Sequence, residues 1–225
     1  MSDRDLASRE FTDAALAELR AAGLRPAGWG RFLMRISRRS AGQVAARPRA
    51  VAEVTTLHAA ASALAARSGS GARGQAWVAA SWALAVTHLG MLEDRHGLGV
   101  ANVLTLARAN LPAMAHDRRA LVAVLAAATD FADGQLSRRT GTTSLFGQQA
   151  DPLTDAAVWT WLALRHEPSR ATRIATLAGW VAVVGSVTAA SFARGAMIDP
   201  PRPKVVRPSA AMQVLLTIRA LRRHA

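Results

Sequence analysis

Residues 130–155 read DFADGQLSRRTGTTSLFGQQADPLTD, and four aspartates are spaced through this stretch. Asp130 and Asp133 are three residues apart, and Asp151 and Asp155 are four apart, so each pair shares one face of a helix. The loop between the two pairs is short enough for the helices to run antiparallel. The spacing therefore predicts two neighbouring helices whose four carboxylates converge.

Four converging carboxylates need a counter-charge, because they repel one another and are costly at the end of an apolar helix. Divalent cations remove that cost, and hard carboxylate oxygens suit Mg²⁺ or Mn²⁺. Two such ions about 3.5–4 Å apart are a standard device of phosphoryl chemistry. Since the chain contains no Cys, a thiolate metal site is excluded.

Two glycines and one arginine in the same stretch fit a phosphorylated ligand. Gly134 and Gly147 interrupt helical patterns, where glycine is unfavourable unless something approaches the backbone closely, and a ligand is one candidate. Arg138 lies about a turn beyond Asp133 and could bind a diphosphate.

Outward from this stretch the chain shows apolar helical segments and no strand-like alternation, so we predict an all-α fold. The segment 174–193 is the clearest candidate for a membrane span, because it has about the 20 residues that a bilayer requires. Shorter or less hydrophobic apolar segments cover 75–92, 98–115, 120–132, 156–164 and 210–221.

Residues 1–73 have a different character, and we predict an amphipathic helical region there, followed by a membrane-embedded domain over 74–225. One helical face carries Phe11, Ala15, Leu16 and Leu19, and Gly23 is a plausible stop. The segment from Trp29 to Arg39 suits either a helix on anionic lipid or an ordinary packed helix. A further helix is predicted over 50–66, and a flexible linker over 68–74.

The chain of 225 residues carries a formal charge of +13, almost all of it from Arg. This charge has two readings, a nucleic-acid-binding face or a region lying on an anionic cytoplasmic leaflet. Composition alone leaves both open. A basic helical nucleic-acid-binding protein would explain the charge, but it would not explain four aspartates converging beside Arg138.

The 130–155 stretch resembles the signature of CDP-alcohol phosphatidyltransferases, D-x2-D-G-x2-A-R-x8-G-x3-D-x3-D. All spacings match, and Ser137 replaces the alanine as the single departure. The segment from Asn102 through Thr105 to Arg108 is similar to the N-x-L-T-x-x-R segment of the family. A weaker similarity covers Lys204–Arg207 and Gln213, which resemble the basic loop before the fifth helix of the family.

The resemblance implies a polytopic membrane bundle of about five to six helices that moves a phosphatidyl-type group from a CDP-alcohol to an acceptor hydroxyl. It implies two Mg²⁺ or Mn²⁺ ions and makes Asp155 the general base. The implied metal ligands are Asp130, Asp133, Asp151 and Asp155. The implied CDP contacts are Gly134, Arg138 and Gly147, with Asn102, Thr105 and Arg108 as weaker candidates. Lys204 and Arg207 are candidates for binding an acceptor phosphate.

The resemblance also implies partners and a location. The donor would be a CDP-alcohol such as CDP-diacylglycerol, and the acceptor a small alcohol or phospho-alcohol. Membrane lipids are expected partners, a homodimer is an assembly that the resemblance allows, and no nucleic acid is expected. The protein would be a multi-pass protein of the inner, cytoplasmic membrane with its active site facing the cytoplasm.

Two points stay open from the sequence. The Arg-rich N-terminal region would break the positive-inside rule if 75–92 spanned fully, so we predict that this segment is interfacial or re-entrant. A catalytically inactive family member that acts as a membrane scaffold is the other alternative. The retained Asp155 argues against a scaffold, since family members that have lost activity have usually also lost the catalytic base.

Overall fold

The computed structural model describes residues 8–115, 117–140, 144–198 and 207–222. Side chains at 8, 133, 134, 136–140, 181, 183 and 207–210 lie outside this description. The described residues are mainly helical and contain no strand, which confirms the all-α prediction. The ten α-helices are α1 (Ser8–Ala21), α2 (Pro26–Ala45), α3 (Pro48–Arg67), α4 (Gly71–Thr87), α5 (Gly99–Ala109), α6 (Leu111–Met114), α7 (Arg119–Thr140), α8 (Leu145–His166), α9 (Arg170–Arg194) and α10 (Arg207–Arg222), with a 3₁₀ turn at Leu89–Leu92 between α4 and α5.

Local sequence explains where several helices begin and end. Pro26 and Pro48 stand in the first turns of α2 and α3, where a missing N–H costs nothing. Ser144 and Ser169 cap α8 and α9, each accepting a hydrogen bond from a backbone N–H three residues on. Gly195 ends α9 in the left-handed region at φ +73°, which glycine adopts without strain.

Helix α5 lies at the centre of the described structure and packs against both α7 and α8. A core centred on the buried Trp159 joins α7, α8, α9 and α10. A second core, which includes Leu89, Leu98 and Phe146, joins α3, α4, α5 and the start of α8. These two cores hold α5 between the helices that carry Asp130 and Asp151.

The predicted apolar face of α1 is confirmed as buried. Phe11, Ala15, Leu16 and Leu19 are each at most 5% exposed. The α1–α2 pair packs on the C-terminal end of α9, where Trp29 meets Phe192 with ring centroids 5.0 Å apart. Helix α2 therefore has a packed side. Its Leu33 and Met34 are 57% and 49% exposed, and contact with lipid stays a prediction for them.

The predicted flexible linker over 68–74 is wrong. Residues 68–70 form a short turn, α4 begins at Gly71, and Ser70 is buried with its hydroxyl donating to the Ala65 carbonyl at 2.9 Å. Gly69 and Gly71 have φ of +76° and +59°, a conformation that lets the chain reverse tightly. The division of the chain near residue 74 into two regions stays a prediction.

Helices α3 and α4 form an antiparallel pair. His58 bonds Ser81 at 3.0 Å, and Trp82 donates to Thr55 at 3.1 Å, so positions later in α4 meet positions earlier in α3. The apolar segment over 98–115 is not one continuous helix, because it breaks at Asn110 into α5 and α6. Pro112 in the first turn of α6 cannot donate a hydrogen bond back into α5.

Among the described helices, Arg170–Arg194 alone is long and apolar enough to cross a membrane by length and composition. It contains the predicted span over 174–193. Only 12% of its most apolar window is buried by the rest of the described chain. This observation supports one candidate spanning helix, and the count of five to six spanning helices stays a prediction.

Candidate active site

The site forms where the C-terminal half of α5 passes between α7 and α8. Arg108 comes from α5, Asp130 from α7, and Asp151 and Asp155 from α8. Because Asp151 and Asp155 are four residues apart on one helix, both face α5. Pro152 lies between them without ending α8.

Three of the four predicted metal ligands are brought together. Asp130, Asp151 and Asp155 each offer a carboxylate oxygen within 4.8 Å of the others. Their side chains are 35%, 42% and 10% exposed, so the cluster is open on one side and closed around Asp155. The backbone of Asp133 lies in α7 one turn beyond Asp130, and its side chain lies outside the described residues.

Arg108 is completely buried and faces all three carboxylates. Its Nη2 contacts Oδ1 of Asp151, its Nη1 lies 3.5 Å from Oδ1 of Asp130, and its Nε lies 3.3 Å from Oδ1 of Asp155. The structure thus places this predicted CDP contact inside the carboxylate cluster. A buried guanidinium is tolerated there because the carboxylates supply its counter-charge.

The ligand atoms that the cluster offers are suited to a divalent cation. Three carboxylates carry a charge of −3 when ionised, and Arg108 offsets only one of these charges. Hard oxygens at such separations are the ligands that Mg²⁺ or Mn²⁺ takes in phosphoryl-transfer sites. Asp130, Asp151 and Asp155 are therefore the described residues that could hold the ion.

Gln213 is a site residue that sequence reasoning did not assign. It comes from α10, and its side-chain amide donates to Oδ2 of Asp155 at 3.0 Å. The carboxylate of Asp155 is thereby held between Gln213 on one oxygen and Arg108 on the other. The weak similarity around Lys204–Arg207 and Gln213 was the available signal, but it gave the glutamine no role.

Asn102 and Gly147 meet at the first turn of α8. Ser144 Oγ accepts from the Gly147 N–H at 3.1 Å and from the Asn102 amide at 3.1 Å. A Cβ on Gly147 would lie 2.6 Å from Oδ1 of Asn102, so the close approach of α5 accounts for this glycine. The Thr105 hydroxyl is buried and donates to the Ala101 carbonyl within α5. Ser144 was missed at the sequence level, although Ser before a helix is the usual cap.

The N-terminus of α5 is fixed from α3. A Glu53 carboxylate oxygen accepts from the Leu98 N–H at 2.7 Å. This hydrogen bond lowers the pKa of Glu53, with a further contribution from Arg49. Near the middle of α3, burial lowers the pKa of His58, whose two ring nitrogens bond Val54 O and Ser81 Oγ. The Glu53–Leu98 contact thus holds the start of α5 against α3, whereas the His58–Ser81 contact joins α3 to α4.

Four other predicted site residues fall outside the described side chains. Gly134 and Arg138 lie on α7, and Arg207 begins α10, but the surroundings of Gly134 and the side chains of Arg138 and Arg207 lie outside the description. Lys204 lies outside the described residues altogether. Their assigned roles in binding CDP or an acceptor phosphate stay predictions.

One comparison with known proteins gives a match. A family model described as CDP-alcohol phosphatidyltransferase matches residues 98–221. This range begins just before α5 and ends within α10, so it contains every helix that contributes a side chain to the carboxylate cluster. No curated protein and no solved structure matches the chain.

Proposed function

The chain belongs to the CDP-alcohol phosphatidyltransferase family, and we propose that it transfers a phosphatidyl-type group from a CDP-alcohol to an acceptor hydroxyl. The observation that carries this proposal is the convergence of Asp130, Asp151 and Asp155 around the buried Arg108. A structural ion network would not need three carboxylates for one guanidinium. A site for a diphosphate and its cations would need this excess of negative charge.

In the proposed reaction, the acceptor oxygen forms a bond to the phosphorus distal to cytidine. The bond between that phosphorus and the bridging oxygen of the diphosphate breaks, and CMP leaves with the bridging oxygen. The proton of the acceptor hydroxyl passes to Asp155, which acts as general base. Atoms and charges then balance without any further reactant.

The surroundings of Asp155 suit this role. Its side chain is 10% exposed, and Gln213 holds Oδ2 at 3.0 Å, so the carboxylate has a defined orientation. Arg108 lies against Oδ1 and supplies a counter-charge to the carboxylate in this buried position. A general base held in one orientation loses little entropy when the acceptor arrives.

The proposed cofactor is a pair of Mg²⁺ or Mn²⁺ ions. Asp130, Asp151 and Asp155 would hold them, together with Asp133 on the strength of the signature. When bound, the ions neutralise charge on the diphosphate and on the departing CMP. Arg138, Gly134 and Gly147 are proposed CDP contacts from the signature alone.

For the location we propose a multi-pass protein of the inner membrane with its active site facing the cytoplasm. The apolar surface of Arg170–Arg194 and the membrane association of the family support this proposal. The net charge of +13 supports a cytoplasmic position for the Arg-rich helices.

The test is CMP release by the detergent-purified protein with CDP-diacylglycerol, Mg²⁺ or Mn²⁺, and a panel of acceptors. The panel contains glycerol-3-phosphate, inositol, inositol phosphate, serine and phosphatidylglycerol. We expect metal-dependent release that one acceptor stimulates and that Asp155→Asn lowers by about 10²–10⁴-fold, the usual contribution of a general base.

The matched control is Asp117→Asn. The Asp117 side chain is 76% exposed and lies 3.9 Å from Arg165, away from the cluster, so its loss should leave turnover unchanged. Binding of CDP-diacylglycerol without any CMP release would favour the inactive scaffold. Absence of both binding and release would refute the proposed function.

A further inference from the structure

Helix α5 ends in a sharp corner directly after the residue that faces the carboxylate cluster. Arg108 and Ala109 close α5, Asn110 follows, and α6 begins at Leu111. We call residues 109–113 the α5–α6 corner. The last carbonyls of a helix have no partner within it, and Pro112 has no N–H to offer them. The direction in which Arg108 points therefore depends on what holds this corner.

Two side chains of α4 hold the α5–α6 corner. The indole Nε1 of Trp77 donates to the Ala109 carbonyl at 2.7 Å. The Oγ of Ser81 accepts from Nδ2 of Asn110 at 3.3 Å. Because Trp77 and Ser81 are four residues apart, they lie on one face of α4. Helix α4 thus contacts the two consecutive residues that follow Arg108.

Asn110 connects this contact to α5 itself. Its side chain is completely buried, and its Nδ2 also donates to the Leu106 carbonyl at 2.9 Å, one turn earlier in α5. One nitrogen thereby joins the last turn of α5 to Ser81 on α4. A buried amide that loses its partners costs more free energy than an average hydrogen bond contributes, so the position of Asn110 is tightly determined.

Ser81 is in turn fixed from α3. Nδ1 of His58 bonds the Val54 carbonyl at 2.8 Å, and Nε2 bonds Ser81 Oγ at 3.0 Å. Because a carbonyl only accepts, Nδ1 of the neutral ring carries the proton and Nε2 accepts from the Ser81 hydroxyl. A lone pair of Ser81 Oγ is then available for the amide of Asn110. The hydrogen bonds run from α5 through α4 to α3.

Helix α3 reaches the corner at a second point. The hydroxyl of Ser68, directly after the end of α3, donates to the Ala113 carbonyl of α6 at 2.9 Å. The α3–α4 pair therefore holds the chain on both sides of the break at Asn110.

We propose that Trp77 and Ser81 are positioning residues, which direct Arg108 at the carboxylate cluster by fixing the last turn of α5. The completely buried guanidinium faces all three carboxylates of the cluster. These carboxylates come from two helices, α7 and α8, so a rotation of the turn would move the guanidinium away from at least one of them.

The positioning residues lie outside the region that matches the family. Helices α3 and α4 precede residue 98, where the match begins. The N-terminal part of the chain thereby takes part in the geometry of a site that the matched helices carry. The inference rests on the proposed function for its effect on turnover, whereas the attachment of α5 to α4 is independent of that function.

The direct test measures amide hydrogen exchange in the detergent-purified, full-length protein without substrate. Trp77→Phe keeps an aromatic ring and removes the N–H that reaches Ala109. The backbone N–H groups of Asn110 and Ala113, which bond the carbonyls of Ala107 and Asn110, report on the corner. We expect their exchange to become about fivefold faster, the factor that one hydrogen bond represents.

Trp82→Phe is the matched control for this test. Trp82 also lies on α4, but its Nε1 donates to Thr55 of α3 at 3.1 Å rather than to α5. The same loss of an indole N–H should therefore leave exchange at the corner unchanged. Equal acceleration in both variants, or no acceleration in Trp77→Phe, would overturn the inference.

Turnover provides the second test. For Trp77→Phe and for Ser81→Ala we expect kcat for CMP release to fall about tenfold with KM for the donor nearly unchanged, because misplacement at the reacting centre lowers the rate more than it weakens binding. Ser81→Thr keeps the hydroxyl and should restore most of the rate. A rise in KM without a fall in kcat would contradict a positioning role.

The two proposals fail in different ways. Faster exchange in Trp77→Phe, with no CMP release from the unchanged protein, would refute transfer and retain the attachment of α5 to α4. CMP release at equal rates in Trp77→Phe and Trp82→Phe would refute the positioning role and retain the transferase. Thermal unfolding of each variant separates a displaced corner from a misfolded chain, and Ser81→Ala carries both tests if Trp77→Phe does not fold.

Discussion

Replacing Arg108 by Met is the perturbation that most directly tests how the site is held together. The guanidinium is completely buried and faces the carboxylates of Asp130, Asp151 and Asp155. Met keeps most of the apolar stem and removes the charge. Without a bound divalent ion, the three carboxylates would then repel one another without the guanidinium that lies among them.

The loss of stability expected for Arg108→Met depends mainly on Asp155. Asp130 and Asp151 are 35% and 42% exposed, so solvent screens much of their interaction with Arg108. Asp155 is only 10% exposed with its Oδ1 3.3 Å from Nε of Arg108. Removing one partner of a buried pair costs about 3–5 kcal/mol. We take the lower end, about 3 kcal/mol, which corresponds to a fall of roughly 6–12 °C in Tm for a chain of this size.

The assay is thermal unfolding of the detergent-purified protein, followed by tryptophan fluorescence, with EDTA and with Mg²⁺. Arg165→Met is the control, because Arg165 and Asp117 form an exposed pair 3.9 Å apart that contributes at most about 1 kcal/mol. Mg²⁺ should raise the Tm of Arg108→Met more than that of the unchanged protein, since the ion no longer competes with the guanidinium. If Arg108→Met unfolds within about 2 °C of Arg165→Met in EDTA, the ion-network reasoning is wrong.

Three further predictions follow from individual contacts. Gly147→Ala should lower the unfolding free energy by about 1–3 kcal/mol, because its Cβ would lie 2.6 Å from Asn102 Oδ1; an unchanged denaturant midpoint would contradict this. Burial lowers the pKa of His58, so below about pH 6.5 the unfolded chain takes up a proton that the folded chain does not. The unfolding free energy should therefore fall as pH drops below about 6.5, by at most about 1.4 kcal/mol per pH unit, and His58→Gln should remove that slope. Gln213→Leu should lower kcat by roughly ten- to hundredfold with little change in KM, because Oδ2 of Asp155 loses a hydrogen bond worth about 1.5–3 kcal/mol; equal changes in kcat and KM would point to a binding role instead.

The sequence predicted those features of the site that depend on local spacing. Asp151 and Asp155 share a face of α8 because residues four apart on a helix are neighbours, whatever surrounds the helix. The apolar face of α1, from Phe11 to Leu19, was predictable for the same reason. Convergence of α7 and α8 required only a short connection, and Asp130 does meet Asp151 and Asp155.

Features that depend on tertiary packing were not predictable in the same way. Arg108 was assigned to CDP from its place in the N-x-L-T-x-x-R segment, but only the packing of α5 between α7 and α8 shows that it faces three carboxylates. The linker over 68–74 was expected from its Gly and Ser content. Those residues instead form a turn, because Ser70 is buried against α3 and α4 starts at once.

The α3–α4 pair also changes how the N-terminal region relates to the site. The topological conflict at 75–92 arose because a single helix before α5 would carry the N-terminal region to the opposite side. Helix α3 runs antiparallel to α4, so α4 ends on the same side of the structure on which α3 begins. Glu53, in the first turns of α3, contacts Leu98 at the start of α5. The Arg-rich helices before α3 thus need not lie opposite the start of α5, whatever the depth of α4 in a membrane.

The charge of the described cluster bears on how two cations could be accommodated. Asp130, Asp151 and Asp155 contribute −3 when ionised and Arg108 contributes +1, which leaves −2 among them. One divalent ion neutralises this charge, and a second would leave the described cluster positive. In the proposed two-ion site, Asp133, which the signature includes, and the diphosphate of the donor would supply further negative charge. On this count a second ion and the donor would stabilise each other at the proposed site.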